Sequence, residues 1–344
     1  MTSSSSLYKL RDWIDIDKLN LLKLLHNINA IDFIKNNQDK RFEKFCNLRG
    51  LSKNSETTLM LEENKNKFNN IEWSILSKNP NAIHLLEENI DKIDWEYLSS
   101  NPNAVHLLEK NMDKIHWRKL CSNPNAIHLL EKKLDKIDWY YLCSNPNAVH
   151  LLEKNLDKIK WSVLSSNPNA VYLLEQNPDK IDWYYLSSNP NAVHLLEQNL
   201  DKVNWKGLSF NPNALHILEK NIDKINWRGL SANLNAIQIL EKNIDKINWL
   251  DLSLNPNAIH LLEQNLDKVD WYWLAKNPNA IDILKENKDK IDWDWLAINP
   301  NIFELDYGFL RKRMDIIREE LMMKAWHPNR VMKWIEAGFD MEDL

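Results

Sequence analysis

Asn101-Pro102-Asn103-Ala104-Val105-His106-Leu107-Leu108-Glu109-Lys110-Asn111-Met112-Asp113-Lys114-Ile115-His116-Trp117 is a stretch that the chain repeats with little change. Tryptophan marks its register at Trp73, Trp95, Trp117, Trp139, Trp161, Trp183, Trp205, Trp227, Trp249, Trp271 and Trp293, one every 22 residues. A constant period in the range of about 20 to 50 is the signature of a solenoid or array. Local chemistry predicts two short helices per period. Asn101 suits an N-cap, because its side-chain oxygen can accept from a first-turn N–H. Pro102 follows at the position where a missing N–H is harmless. Val105 to Lys110 continues that helix, and Asn111 fits a left-handed C′ residue with Met112 as the accompanying apolar contact. The second helix starts at Trp95, with Asp94 or Asp91 as its cap; the residues alone do not separate the two. Ile93 would staple onto Leu98. The helix ends before the next Asn-Pro, since the residue preceding proline avoids the α region.

Neither helix can bury its apolar side alone. Each large residue buried gives roughly 1.5–3 kcal/mol, while ordering the backbone costs about 1–2 kcal/mol per residue. One unit therefore does not fold by itself, and stacking on both neighbours closes the gap. The fold expected is all-α: an α-solenoid of 22-residue helix-turn-helix repeats, an elongated superhelix with degenerate capping repeats.

Working outward, the chain of 344 residues divides into three parts. Residues 1–72 read as an N-terminal cap with degenerate repeats: Asn27-Ile28-Asn29-Ala30 echoes the helix opening, and Asn47-Leu48-Arg49-Gly50-Leu51-Ser52 matches Asn226 to Ser231 with Leu48 in the tryptophan slot. Residues 73–300 are the regular array. Residues 301–344 read as a C-terminal helical cap, with a longer helix from Asp306 to Lys324 and a last Asn-containing opening at His327-Pro328-Asn329-Arg330. The net charge is −5, and the repeats are mildly acidic, which argues against a basic nucleic-acid footprint. Cys46, Cys121 and Cys143 form no paired pattern, which favours a reducing compartment. No apolar run is long enough to span a bilayer, and the start lacks the apolar core of a signal peptide.

The string Asn-Pro-Asn-Ala-Ile-His-Leu-Leu-Glu-x-Asn-x-Asp-Lys-Ile-Asp-Trp, seen in residues 123–139 with Lys133 off pattern, resembles short-repeat proteins encoded in bulk by giant DNA viruses of amoebae, the Mimivirus relatives. The ending from His327 to Asp340 is similar to C-termini common there. The resemblance implies a viral repeat protein, placed in the host cytoplasm or the virion. It carries over no catalytic residue.

Candidate chemistry is sparse. The tryptophan column reads as one core residue per unit before it reads as a stacking ladder, because it does not vary. The histidine column, His84, His106, His128, His150, His194, His216 and His260, lacks partners at metal-ligand spacing; a half-exposed packing role beside Glu88 is expected. The recurrent Asp-Lys pair, Asp91-Lys92 onward, reads as a turn cap and a solvated lysine. With five glycines in the chain no phosphate-binding loop can be built, and no catalytic, cofactor-binding or metal-binding residue is assigned. The slots that vary are the two after each tryptophan. Among them Tyr140, Tyr141, Tyr184, Tyr185, Tyr272, Trp273 and Trp295 stand out as partner-binding candidates, because Tyr and Trp are enriched at binding hot spots. The function expected is a non-enzymatic scaffold for protein–protein interaction. A helical-repeat reader of single-stranded RNA and a self-assembling structural component are the alternatives. Nucleic acid and membrane are disfavoured as partners, and homo-oligomerisation stays open.

Overall fold

The computed structural model describes residues 7–30, 33–34 and 73–337. It is an all-α repeat array in which each period contributes two short helices. In the unit that begins at Trp95, the Trp helix runs Trp95–Ser99 and the second helix Val105–Lys110, followed by a 3₁₀ turn at Met112–Lys114. The choice between the two caps is resolved at Asp94, whose carboxylate accepts from the N–H groups of Glu96 and Tyr97. Asp138, Asp182, Asn204 and Asn226 cap in the same way, and His116 does so through Nδ1. Asp91 instead lies in an exposed 3₁₀ turn. Ile93 and Leu98, the residues expected to staple, are both buried in the one core cluster.

Two local expectations are corrected. Asn101 does not start the second helix directly; its Oδ1 accepts from Asn103 N at 3.0 Å, closing a turn, and the helix begins at Val105. Asn111 is not left-handed: its φ is −134° and ψ 53°. Its side-chain Nδ2 donates to Leu107 O at 2.9 Å, so the side chain satisfies the open carbonyl that a Schellman bond would have taken.

What joins the units is a set of bonds that all reach to the preceding unit. Buried Asn101 donates from Nδ2 to Ser77 O and Asn79 O, both at 3.0 Å, and Asn103 donates to Pro80 O at 3.0 Å. The same bonds recur at Asn123 and Asn125, Asn189 and Asn191, and on to Asn299 and Asn301. Buried Ser99 Oγ donates to Trp95 O at 2.7 Å and accepts the N–H of His116 at 2.9 Å. Cys121 and Cys143 fill that serine slot, where Sγ accepts the N–H of Asp138 and of Lys160. Burial pushes the Cys121 thiol up to about 11 and raises that of Cys143 as well. Both thiols are free. Cys46 lies outside the described residues.

Residues 7–30 and 33–34 extend the end of the array at Ile302; the rest of the segment 1–72, expected as an N-terminal cap, lies outside the described residues. Strand β1 (Tyr8–Leu10) pairs antiparallel with β2 (Phe303–Leu305), in the register Tyr8 to Leu305 and Leu10 to Phe303. The helix Leu21–Leu24 then occupies the place of a further Trp helix, capped by Asn20. Asn27 Nδ2 donates to Ala297 O at 3.0 Å and Asn299 O at 2.8 Å, and Asn29 Nδ2 to Pro300 O at 3.0 Å. These are the inter-unit bonds of the array, made here by a segment that precedes it in sequence. Arg11 completes the joint through Nε to Asn301 O at 2.7 Å and an ion pair with Glu304 at 3.1 Å. A hydrogen bond to Glu304 raises the Lys9 ammonium above its ordinary range. In the C-terminal segment, Ile302 and Phe303 are buried at this joint, whereas the long helix Tyr307–Ala325 is exposed along nearly its whole length. The degenerate copy around Asn47 lies outside the described residues.

Candidate functional site

The tryptophans are half-buried and packed against the core. Trp73, Trp95, Trp139, Trp183, Trp205, Trp227, Trp249 and Trp271 each have a lysine of the Asp-Lys pair above the ring, as in Lys92 over Trp73 at 5.1 Å, Lys114 over Trp95 at 4.8 Å, Lys202 over Trp183 at 5.0 Å and Lys290 over Trp271 at 5.0 Å, whereas Lys136 and Lys180 pair with Asp135 and Asp179. The lysine is thus more than a solvated charge: its stem and ammonium shield the exposed part of the indole, a cation–π contact worth about 0.5–1 kcal/mol at an exposed site. Lys18 sits over Trp293 at 5.2 Å in the same relation. Asp17-Lys18-Leu19-Asn20-Leu21 is therefore the Asp-Lys-Ile-Asn-Trp motif with Leu21 in the tryptophan slot. The Asp-Lys and the cap Asn were signals for it in the sequence; the missing indole hid them.

The histidines also reach between units. His106 Nε2 meets Glu87 Oε1 at 2.8 Å, His128 meets Glu109 at 2.8 Å and His150 meets Glu131 at 3.0 Å. His194, His216 and His260 repeat the contact with Glu175, Glu197 and Glu241. Where Tyr172 replaces His, its hydroxyl donates to Glu153. The partner is the Glu of the previous unit, since the i,i+4 residues in these helices are Lys110, Lys132, Lys154, Gln198, Lys220 and Gln264, which offer no carboxylate. Both side chains of each pair are roughly half-exposed, so each contributes little, about 0–1 kcal/mol.

The two variable slots after each tryptophan follow a rule that the sequence reading missed. The first slot of one unit faces the second slot of the next. Glu96 pairs with Lys119 at 3.6 Å, and Arg228 with Asp251 at 3.1 Å. Arg118 lies 4.6 Å from the Tyr141 ring and donates to its hydroxyl at 2.8 Å. Tyr272 packs edge-on to Trp295 with centroids 5.2 Å apart. Asp294 pairs with Lys23 at 3.6 Å, the same relation carried into the added end unit. Opposite Tyr184 is Gly207, where an added Cβ would come within 3.2 Å of Ser187 Cβ.

This rule divides the candidate residues. Tyr272, Trp273 and Trp295 surround the Lys276 ammonium, which lies 4.1, 3.9 and 3.6 Å from the three ring centroids. Lys23 sits 3.6 Å from the Trp295 ring as well. These aromatics thus make contacts within the chain itself. Tyr141 is held by Arg118. Tyr140 and Tyr184 remain, 54% and 59% exposed, each edge-on to its neighbour Tyr141 or Tyr185 at 5.4 and 5.3 Å. Tyr185 is exposed as well. The structure brings Tyr140/Tyr141 and Tyr184/Tyr185 onto one face two units apart, because each lies in the same slots of a Trp helix.

No family model, curated protein or solved structure matches this chain. Among the described residues, no helix is long and apolar enough to cross a membrane.

Proposed function

We propose that this chain is a non-enzymatic scaffold that captures a protein partner along the face carrying Tyr140, Tyr141, Tyr184 and Tyr185. One observation supports the reading most. The Asn, Ser, Leu and Trp slots are taken up by bonds and packing between units, whereas Tyr140 and Tyr184 keep more than half their surface in water. A tyrosine presents a large, rigid contact area with a polar tip at small entropic cost. Two such pairs at a fixed separation give a partner two anchor points. The mildly acidic array favours a protein partner over RNA, whose phosphates call for Lys and Arg.

The test is affinity capture from the native source with wild type and a Tyr140→Ala/Tyr184→Ala variant, read by mass spectrometry. The variant should lose the captured protein while its thermal midpoint stays within a degree or two. An unchanged capture profile, or salt-sensitive capture of single-stranded RNA in place of protein, defeats the proposal.

A further inference from the structure

The helix Tyr307–Ala325 leaves the array and is exposed along nearly its whole length. Met314 and Leu321 are each 61% exposed, and Met323 67%. At 19 residues it is roughly 28 Å long. Most of a helix's stability in a protein comes from packing an apolar face, which this helix does not do within the chain. Yet it carries more large apolar side chains than a solvated helix needs.

Their spacing says what covers them. Tyr307, Leu310, Met314, Ile317, Leu321 and Lys324 follow one another at alternating steps of three and four, the a/d seam of a two-stranded coiled coil. The other large apolar residues, Phe309, Ile316, Met322 and Met323, do not follow one another at steps of three and four and make no second seam. We propose that this helix pairs with the same helix of a second copy, antiparallel, to make a two-fold dimer.

The orientation follows from charge. In parallel register Lys324 would face its own copy across the seam, and Arg313 would flank Arg318. In antiparallel register Leu310 meets Leu321, Met314 meets Ile317, and Lys324 reaches the Tyr307 ring. Arg313 then lies opposite Glu320 in two symmetry-related pairs along one flank. The like pairs of Arg311 with Arg318, also two by symmetry and along the other flank, are softened because Arg318 is already bound to Asp315 at 2.8 Å. A lipid surface fits less well: acidic Asp315, Glu319 and Glu320 are interspersed with the basic residues, and an interfacial helix needs a basic polar face. The dimer asks nothing of the tyrosine face, so its loss and the loss of partner capture are separable.

The experiment is sedimentation of the full chain over a range of concentrations. Wild type should reach a dimer, and Ile317→Glu/Leu321→Glu should stay monomeric with the circular-dichroism melt of the array unchanged. Reversing the charges of that flank, Arg313→Glu with Glu320→Arg, should restore the dimer that Glu320→Arg alone weakens. For orientation, Met314→Cys should cross-link to Ile317→Cys in a mixture and not to itself. A wild type monomeric at every concentration overturns the proposal, as does a monomer that binds phosphatidylcholine/phosphatidylserine vesicles. Self-cross-linking of Met314→Cys overturns the antiparallel arrangement.

Discussion

At the scale of single residues, the buried asparagine is the most demanding position of the repeat. Asn189 accepts from Asn191 N at 3.0 Å and donates to Ser165 O and Asn167 O, both at 3.1 Å. It therefore serves its own turn and the preceding unit at once. Asn189→Ala removes the donors and leaves buried carbonyls unmatched, at about 1–3 kcal/mol for each such group. The expected result is a loss of about 2–4 kcal/mol in urea unfolding, larger than for a half-exposed ion pair such as His194→Ala. Equal effects of the two changes would show that the ladder is not what holds the stack. The proline beside it acts differently. Leu234 stands in the proline slot, and its carbonyl accepts from Asn257 at 2.9 Å just as the prolines' carbonyls do. Only its backbone freedom differs. Leu234→Pro should stabilise by about 0.4–1 kcal/mol, through the unfolded chain; a lower thermal midpoint in calorimetry would refute this.

At the scale of elements, the joint between 7–34 and the end of the array is the feature with the clearest consequence. Asn27, Asn29 and Arg11 supply four side-chain bonds to backbone carbonyls of residues 297–301. Nothing covalent holds the segment there locally, so its attachment depends on these bonds, on the strand pair and on apolar packing of Leu21, Leu24 and Leu25. The variant Arg11→Ala/Asn27→Ala/Asn29→Ala should expose residues 7–34 to limited proteolysis, while fragments that begin within the regular array persist. Cutting at the wild-type rate would mean that apolar packing alone suffices. Much of this element was legible. Asn27 to Ala30 was recognisable as a helix opening, but its destination was not, since a repeat motif specifies how a unit stacks and not which end of the array receives it.

At the scale of the molecule, the joining bonds among consecutive units span 17 to 24 residues and reach only the preceding unit. Stability is then a sum of unit and neighbour contributions. Deleting one full period, residues 205–226, should leave a folded array with a smaller unfolding amplitude, because Tyr184 would then face Gly229 where it faced Gly207. Deleting residues 205–215 instead sets the asparagines against the wrong carbonyls and should produce aggregation or loss of cooperative unfolding. Two deletions with matching melts would contradict nearest-neighbour stacking.

The sequence by itself determined the period, the two helices of each unit, the core residues and the all-α array. Those properties depend on contacts within a few residues or at a constant offset, and a constant offset is visible as repetition. Three things were decided only in three dimensions. The partner of His106, His128, His150, His194, His216 and His260 is the glutamate of the unit before, the variable slots face one another across units, and the N-terminal segment seats on the far end. Each depends on which surfaces stacking brings together: Tyr184 and Tyr272 look alike in sequence, yet one faces a glycine and stays in water while the other packs against Trp295 and Lys276.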